Sequence, residues 1–504
     1  MKRCKTAMHE LLTPAQMGQA DRLTIDGGIA GIELMEAAGR AVADGTIASF
    51  PEARKILIVC GRGNNAGDGF VAARILARAG LQVSVFLTCL KSRFKGDAAI
   101  ALDRLGKDVG IADKLDPSRF DLVIDALFGA GLDRAVTGHM ANMIDTINAS
   151  ETPVLAVDLP SGIDGACGRV CGTAIKAECS VTFFRKKPGH VLYPGRACCG
   201  EVVVRQIGIR PAVLEKTGIA ARMNKPALWR SHLPGFSAMG HKYSRGHTLV
   251  VSGPLPMSGA ARLVATAALR TGSGLVTLAG SSEVMASNAA QLTSVMLLEA
   301  ETADALSRAL NDRRMNCLAL GPGLAPDRGT RETTIALLAQ QRKTVLDAGA
   351  LSAFEGHQDL LLAAIRSNQE PVVMTPHEGE FARLFPNEIK LPSKLDRALK
   401  AAAVSAGVII LKGPDSVVAH PDGRACIADN APPWLATAGS GDVLAGIVAG
   451  LLAQGMPPFE AASAAVWIHG DAAARLGPPL VSSDLDAGLR RSLAILLQQE
   501  MSSH

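Results

Sequence analysis

The run KILIVCGRGNNAGDGFVAARILARAG, Lys55–Gly80, decides how the first half of the chain is read. It opens on a short apolar, β-branched stretch and ends on an amphipathic helical one, with glycine, asparagine and aspartate between them. Strand, glycine-rich turn and helix in that order are the unit of a parallel sheet. The turn is compatible with a phosphate, a metal ion or no ligand at all. Its glycines let backbone N–H groups approach an anion at the positive end of a helix, but Gly-Asn pairs also make ordinary turns. The segment lacks the Lys-Ser/Thr ending of a nucleotide-triphosphate loop and the G-x-G-x-x-G spacing of a dinucleotide fold, so neither standard assignment fits.

The same rhythm continues through QVSVFL, DLVIDALF, PVLAVDLP, CSVTFF and EVVVRQIGI to about residue 210. It predicts a parallel sheet covered on both faces, a Rossmann-like three-layer α/β/α domain. RPAVLEKTGIAARMNKPALWRSHLPG then breaks the pattern, with Pro211, Pro226 and Pro234 bracketing weakly periodic sequence. The boundary is placed near residue 220, giving domains over 1–218 and 225–504. A second α/β series follows, from HTLVVSG through GLVTLAG, NCLALGPG, KTVLDAG, PVVMTPHEGEF and VIILKG to SGDVLAGIVAGLLAQG. No repeat links the halves, so two different folds are expected in one chain.

Composition narrows the function. With 504 residues, 48% apolar and 20% charged, the chain suits two globular cores rather than disorder. Lys and Arg exceed Asp and Glu by only 52 to 47, which argues against a nucleic-acid surface or a polybasic membrane patch. The N-terminus has no apolar core of signal-peptide length, and apolar runs elsewhere are interrupted before they reach bilayer length, so a cytoplasmic location is expected. The ten cysteines are irregularly spaced. Cys167, Cys171, Cys179, Cys198 and Cys199 lack paired C-x-x-C knuckles, and small buried thiols are expected there rather than zinc.

In a parallel sheet, ligands gather beyond the carboxyl ends of the strands. Asn64, Asn65 and Asp68, then Asp125, then Asp158 and Ser161 all follow strands and should line one sheet edge. Asn65, Asp125 and Ser161 are oxygen donors carrying one charge between them, a set suited to a large, weakly charged cation. Asp125 and Ser161 as plain helix caps are the alternative.

Five ordered segments, LTPAQMGQADRLTID, GRGNNAGDGFVAARIL, DLVIDALFGAGL, VLAVDLPSGIDG and FFRKKPGH, together resemble the NAD(P)HX epimerase family across nearly all of this half. The resemblance implies that Asn64, Asn65, Ala66, Gly67 and Asp68, with Gly129, Ala130, Gly131, Leu132, Asp133, Arg134 and Ala135, hold the hydrated cofactor. It also implies that Asp158 touches the reacting nicotinamide end, and that Asn65, Asp125 and Ser161 coordinate potassium. Ala66 departs from the glycine common in that family, and its methyl could crowd a phosphate. Asp158 suits acid/base work, since epimerising a hydrate requires proton transfer at an oxygen.

In the second half TAGSGDVLAGIVAGLL places Gly439, Ser440, Gly441 and Asp442 ahead of a long apolar helix. Exposed N–H groups there make an anion hole, and Asp442 stands where a substrate hydroxyl would meet a transferring phosphoryl group. The plain alternative is a capping aspartate. Lys412 and Gly413 end a strand ahead of a probable hairpin; a nucleotide contact and a solvated lysine are both open. Gly323, His377 and Glu380 should face the same crevice, with His377 either a ligand contact or a turn residue.

Taken in order, SGAARLVATAALRTGSGLV, GPGL, LDAGAL, TPHEGEF, LKG and AGSGDVLAG resemble the ADP- or ATP-dependent NAD(P)HX dehydratases, a branch of the ribokinase-like fold, over about residues 225 to 495. The resemblance implies that Ala260, Gly323, His377 and Asp442 contact the hydrated cofactor. It implies that Lys412, Gly413, Pro414, Asp415, Ser416 and Gly441 hold the adenine nucleotide, with magnesium on its phosphates and ADP as phosphoryl donor. The fusion then reads as a cytoplasmic, homo-oligomeric repair enzyme acting on NADHX and NADPHX, with no nucleic-acid or membrane partner. The rival is a ribokinase-like vitamin or sugar kinase fused to a non-catalytic binding module.

Overall fold

Lys55–Cys60 form a strand whose last five residues are all buried, as a strand covered on both faces must be. The computed structural model describes residues 8–132, 134–235 and 239–501. Cα packing divides the chain into Met1–Arg222 and Met223–His504.

The first unit is built on a seven-stranded parallel sheet. Its spatial order is Gly110–Ile111, Gln82–Leu87, Lys55–Cys60, Leu122–Ala126, Val154–Val157, Cys179–Phe183, Glu201–Arg205. Successive side chains alternate between two cores. Ile56, Ile58 and Cys60 join Ile124 and Ala126 beneath the helices Gly31–Ser49 and Asn64–Arg78. Leu57 and Val59 join Val123 and Ala156 beneath Gly138–Ala149. The chain moves outward from Lys55–Cys60 and then returns to its other side at Leu122–Ala126, so the strand order reverses between these two neighbours. Their carboxyl ends open the crevice that such a reversal creates.

Two features were not legible. Leu11 pairs with Ala221 and Glu10 with Arg222 in an antiparallel bridge, where the sequence reads as a break. Strands of two or three residues carry no measurable periodicity. The helix Pro14–Asp26 is capped by a reciprocal Thr13–Gln16 box.

The second unit contains nine strands in the order Ala425–Ile427, Val417–Ala419, Val408–Leu411, Val372–Met374, Lys343–Leu346, Met315–Leu320, His247–Val251, Leu275–Gly280, Met296–Glu299. The hairpin expected after Lys412 is the antiparallel run of the first three. The others are parallel, so their carboxyl ends converge.

Ser440–Ala453 is the core helix of this unit, buried continuously from Val443 to Ala453. It packs against Ser258–Thr271 through two glycines one turn apart. A Cβ at Gly446 would lie 2.4 Å from the Val264 carbonyl oxygen, and one at Gly450 would lie 2.6 Å from that of Ala268. Backbone cannot yield as a flexible side chain does, so the helix carrying Asp442 is held at this depth by absent side chains. Gly450→Ala should therefore destabilise the second unit by about 1–3 kcal/mol. The tryptophans, Trp229, Trp434 and Trp467, all belong to this unit, so the urea midpoint of their fluorescence reports the loss. An unchanged midpoint would contradict the packing.

Candidate active sites

At the crevice of the first unit, the helix Asn64–Arg78 starts one residue after Gly63, which presents its unpaired N–H groups to a cavity of about 1210 Å³. Asn64, Asn65, Asp68, Gly129, Ala130, Gly131, Leu132, Arg134, Ala135 and Asp158 line this cavity. Asp133 lies outside the described residues. Ala66 and Gly67 do not line it. Ala66 is wholly buried in the core and a Cβ on Gly67 would strike Met35 Sδ at 2.4 Å, so the Ala66 methyl crowds no phosphate.

Beneath the cavity, Asp125 clamps two loops. Its Oδ1 accepts from Ser161 Oγ at 2.6 Å and from Leu127 N at 3.1 Å, while Oδ2 accepts from Ser161 N at 2.7 Å. Asn65 Nδ2 donates to the Phe128 carbonyl at 3.1 Å, and Ser161 Oγ accepts from Phe128 N at 2.8 Å. Asn65, Asp125 and Ser161 are thus brought together around Phe128, and neither Asp125 nor Ser161 caps a helix. Burial pushes the Asp125 carboxyl up to about 6 despite its three hydrogen bonds. Asn65 Oδ1 has no donor among the described residues, so amide, hydroxyl and carbonyl oxygens surround one under-compensated carboxylate. That is the donor chemistry of a weakly charged cation. Among the described residues, no group of three or more His, Cys, Asp or Glu could hold a metal.

Asp158 has φ +66°, a left-handed conformation that costs free energy in a non-glycine residue. The turn is held from three sides. Lys187 Nζ donates to Asp158 Oδ1 at 2.5 Å, Thr182 Oγ1 donates to the same oxygen at 2.8 Å, and His190 meets the Asp158 carbonyl at 2.8 Å. Lys187 N can only donate, and it donates to His190 Nδ1, so the His190 proton sits on Nε2. Burial opposes the Asp158 charge, but the Lys187 ammonium, His190 and the hydrogen bonds from Lys187 and Thr182 together outweigh it and hold the carboxyl below its ordinary range. Burial pushes His190 down to about 4, so its imidazole is neutral.

In the second unit, Lys412 is not a solvated strand end. Its ammonium lies 2.7 Å from Asp347 Oδ1 and 3.8 Å from Glu380 Oε2. Burial lowers its proton affinity, yet Asp347 and Glu380 more than restore it, so it stays charged. A Cβ at Gly441 would come within 3.4 Å of Lys412 Nζ, which places this cation against the N-terminus of Ser440–Ala453. Asp442 sits in the first turn of that helix and makes no hydrogen bond among the described residues, so it is not a cap. Burial, then Asp347, push its carboxyl up to about 6, against the pull of Lys412.

His377 caps Glu378–Leu384, its Nδ1 accepting from Gly379 N and Glu380 N, while Glu380 Oε2 accepts from His377 N at 2.9 Å. The other ring nitrogen, His377 Nε2, lies 3.4 Å from Glu380 Oε1. Gly323 and Ala260 are neighbours, a Cβ on the glycine falling 3.5 Å from that of Ala260. In the nucleotide loop, Ser416 Oγ closes a turn on Gly413, and Lys394 Nζ reaches Asp415 Oδ1 at 2.7 Å and the Lys412 carbonyl at 3.2 Å.

The sequence pattern of the NAD(P)H-hydrate dehydratase family matches residues 248–479, and that of the YjeF-related protein N-terminus matches residues 31–189. The bifunctional NAD(P)H-hydrate repair enzyme Nnr of Moorella thermoacetica is 40% identical over 488 residues, covering 92% of this chain and 91% of that one. The chain belongs to the bifunctional NAD(P)H-hydrate repair enzyme family. The relative of the same name in Escherichia coli is 32% identical over 471 residues, covering 91% and 89%. Among solved structures, the ADP/ATP-dependent NAD(P)H-hydrate dehydratase from Bacillus subtilis co-crystallized with ATP/Mg2+ is 28% identical. That match covers 54% of this chain and 98% of the other, with a TM-score of 0.48.

Several residues of this family member escaped the sequence reading. Lys187 and His190 lie in FFRKKPGH, Asp21 in LTPAQMGQADRLTID and Asp347 in LDAGAL, so each was inside a recognised segment but had no role. Lys394 had no local signal. Lys187→Met leaves Asp158 buried without its cation and should cost roughly 3–5 kcal/mol at neutral pH. In the wild type the depressed Asp158 affinity contributes stability that is lost as pH falls through its folded value; in the variant, burial, the largest influence, is opposed only by His190 and the Thr182 hydrogen bond, and protonation stabilises. The gap between the two proteins, read as the urea transition of the first unit in circular dichroism, should therefore narrow in acid. A gap independent of pH would contradict the assignment.

Proposed function

We propose that the chain repairs hydrated nicotinamide cofactors in two steps. The first unit interconverts the R and S epimers of hydrated NADH and NADPH. The second returns the S form to the dihydropyridine using ADP, releasing AMP and phosphate. One observation carries the dehydratase reading: the carboxyl of Asp442 is partly buried, free of hydrogen bonds among the described residues and set at a helix N-terminus beside the Lys412 ammonium.

Hydroxide is a poor leaving group. Asp442 takes the proton of the hydroxyl on carbon 6, whose oxygen attacks the terminal phosphorus of the nucleotide; the amides of Gly439 and Gly441 and Lys412 stabilise the charge on the phosphoryl oxygens. The ring nitrogen then expels phosphate and loss of a proton from carbon 5 restores the double bond. Ala260, Gly323, His377 and Asp442 hold the hydrated ring, while Lys412 to Ser416 and Gly441 hold the nucleotide. Magnesium would neutralise charge on the nucleotide phosphates, with Asp347 the carboxylate the chain would offer it.

In the first unit, residues 64 to 68 and 129 to 135 hold the cofactor, and Asp158 serves the proton transfer. Asn65, Asp125 and Ser161 would hold potassium, whose charge offsets the buried Asp125. Among the described residues no helix is long and apolar enough to cross a membrane; a cytoplasmic homo-oligomer is the proposed state.

Supplying separated epimers of hydrated NADPH with ADP or ATP and following dihydronicotinamide absorbance tests the reading. Recovery from both epimers, with ADP preferred, is expected; no recovery with either nucleotide would exclude it. Asp442→Asn should keep the fold and lose roughly 10²–10⁴-fold in turnover. Wild-type turnover on the S epimer should fall as acid protonates Asp442, with a limb at about 6. A profile flat through that region would remove Asp442 as the base.

A further inference from the structure

The cavity of the first unit contains a carboxyl with no partner. Asp68 is 9% exposed and lines the cavity, yet its side chain makes no hydrogen bond and no ion pair among the described residues. Asp21 reaches the same cavity from the helix Pro14–Asp26, where Pro14, Met17, Gly18, Asp21 and Ile25 share the lining face at helical spacing. Asp21 likewise has no hydrogen bond or ion pair among the described residues. Asp158, the third carboxylate of the cavity, has already taken the Lys187 ammonium.

Like charges withdrawn from water cannot all be ionised together. Burial, then Asp158, then Asp21 push the Asp68 carboxyl well above its ordinary range, and Lys187 offsets only part of this. Burial pushes Asp21 up to about 6, with Lys187 lowering it, Asp158 raising it and the adjacent Arg22 lowering it. The raised Asp68 carboxyl and the lowered Asp158 carboxyl line the same cavity, which sets an acid opposite a base.

We infer that Asp68 and Asp21 form a proton-sharing acid pair of the epimerase unit, with Asp68 the acid that meets the substrate hydroxyl and Asp21 the group that returns its proton. This rests on the epimerase reading above. In the hydrate, carbon 6 carries the hydroxyl and is bonded to the ring nitrogen. Asp68 gives its proton to the hydroxyl oxygen, and the C6–O bond breaks with its electron pair on oxygen, releasing water. The nitrogen lone pair closes a double bond to carbon 6. Water adds to the opposite face, the double-bond pair returns to nitrogen, and the added oxygen gives its extra proton to the Asp158 carboxylate. A protonated hydroxyl is acidic enough to yield that proton to a carboxylate of depressed affinity. Asp21 carries it back to Asp68, so one C–O bond has broken, one has formed and no proton is consumed.

The test is epimer interconversion by the full chain without nucleotide, followed chromatographically across pH. Asp68→Asn should lower kcat about 100-fold or more while KM stays within about threefold. Circular dichroism should show it melting no earlier than wild type, since a buried carboxyl without donors has been removed. Asp21→Asn, on a half-buried site, removes a negative neighbour from Asp68. The alkaline limb of the kcat profile should move toward acid, a displacement that a merely structural role would not produce. Should Asp68→Asn fail to fold, the Asp21→Asn profile decides: an unmoved limb overturns the inference. Wild-type interconversion with an unimpaired, folded Asp68→Asn overturns it too and leaves the epimerase reading intact. Absence of interconversion in the wild type removes that reading itself.

Discussion

A carboxylate withdrawn from water keeps its charge only beside a cation, and both units are organised by that constraint. In the first, Lys187 supplies the charge that keeps Asp158 ionised, and the same contact holds the left-handed turn on which Asp158 is displayed. Asp68 and Asp21 share no such contact, and their proton affinities rise. In the second, Lys412 lies between Asp347 and Glu380 and tempers Asp442 without pairing with it. Lys187 thereby sets Asp158, held down beside it, apart from Asp68 and Asp21, whose affinities rise, and such a separation is what acid/base work requires.

The sheets determine where this division is exposed. Parallel strands deliver their following loops to one edge, and helix N-termini face the same edge with unpaired amides. Asn64–Arg78 and Ser440–Ala453 both begin there, each after a glycine. Close packing makes the arrangement rigid: Gly446 and Gly450 admit neighbouring backbone, and Gly67 admits Met35, at distances a methyl would forbid. The glycines that look like phosphate ligands in the sequence therefore serve two ends. Gly63 opens the helix start toward the cavity, whereas Gly67 belongs to the interior.

The fold was legible where periodicity is long. Five- and six-residue apolar strands such as Lys55–Cys60 and Met315–Leu320, separated by helices, permit little besides covered parallel sheets. The pairing of Glu10–Leu11 with residues near 221 was not legible, because a bridge two residues long is selected by what lies across from it. Among site residues, Asn65, Asp125 and Ser161 could be grouped from their positions after strands. That Phe128 is the backbone hub around which they meet required coordinates.

Order along the chain determined the α/β architecture in two parts, the edge at which each group of polar residues gathers, and the oxygen-rich, anion-cradling character of the two sites. These follow from local propensity and from the one-directional geometry of parallel strands. Tertiary structure alone decided which carboxyl each lysine pairs with, that Asp21 enters the cavity beside Asp68, that Ala66 faces the core, and that Lys412 is half-buried in an ion-pair network. Those outcomes depend on desolvation and Coulomb interaction between residues tens to hundreds of positions apart, and neither quantity exists until the chain has folded.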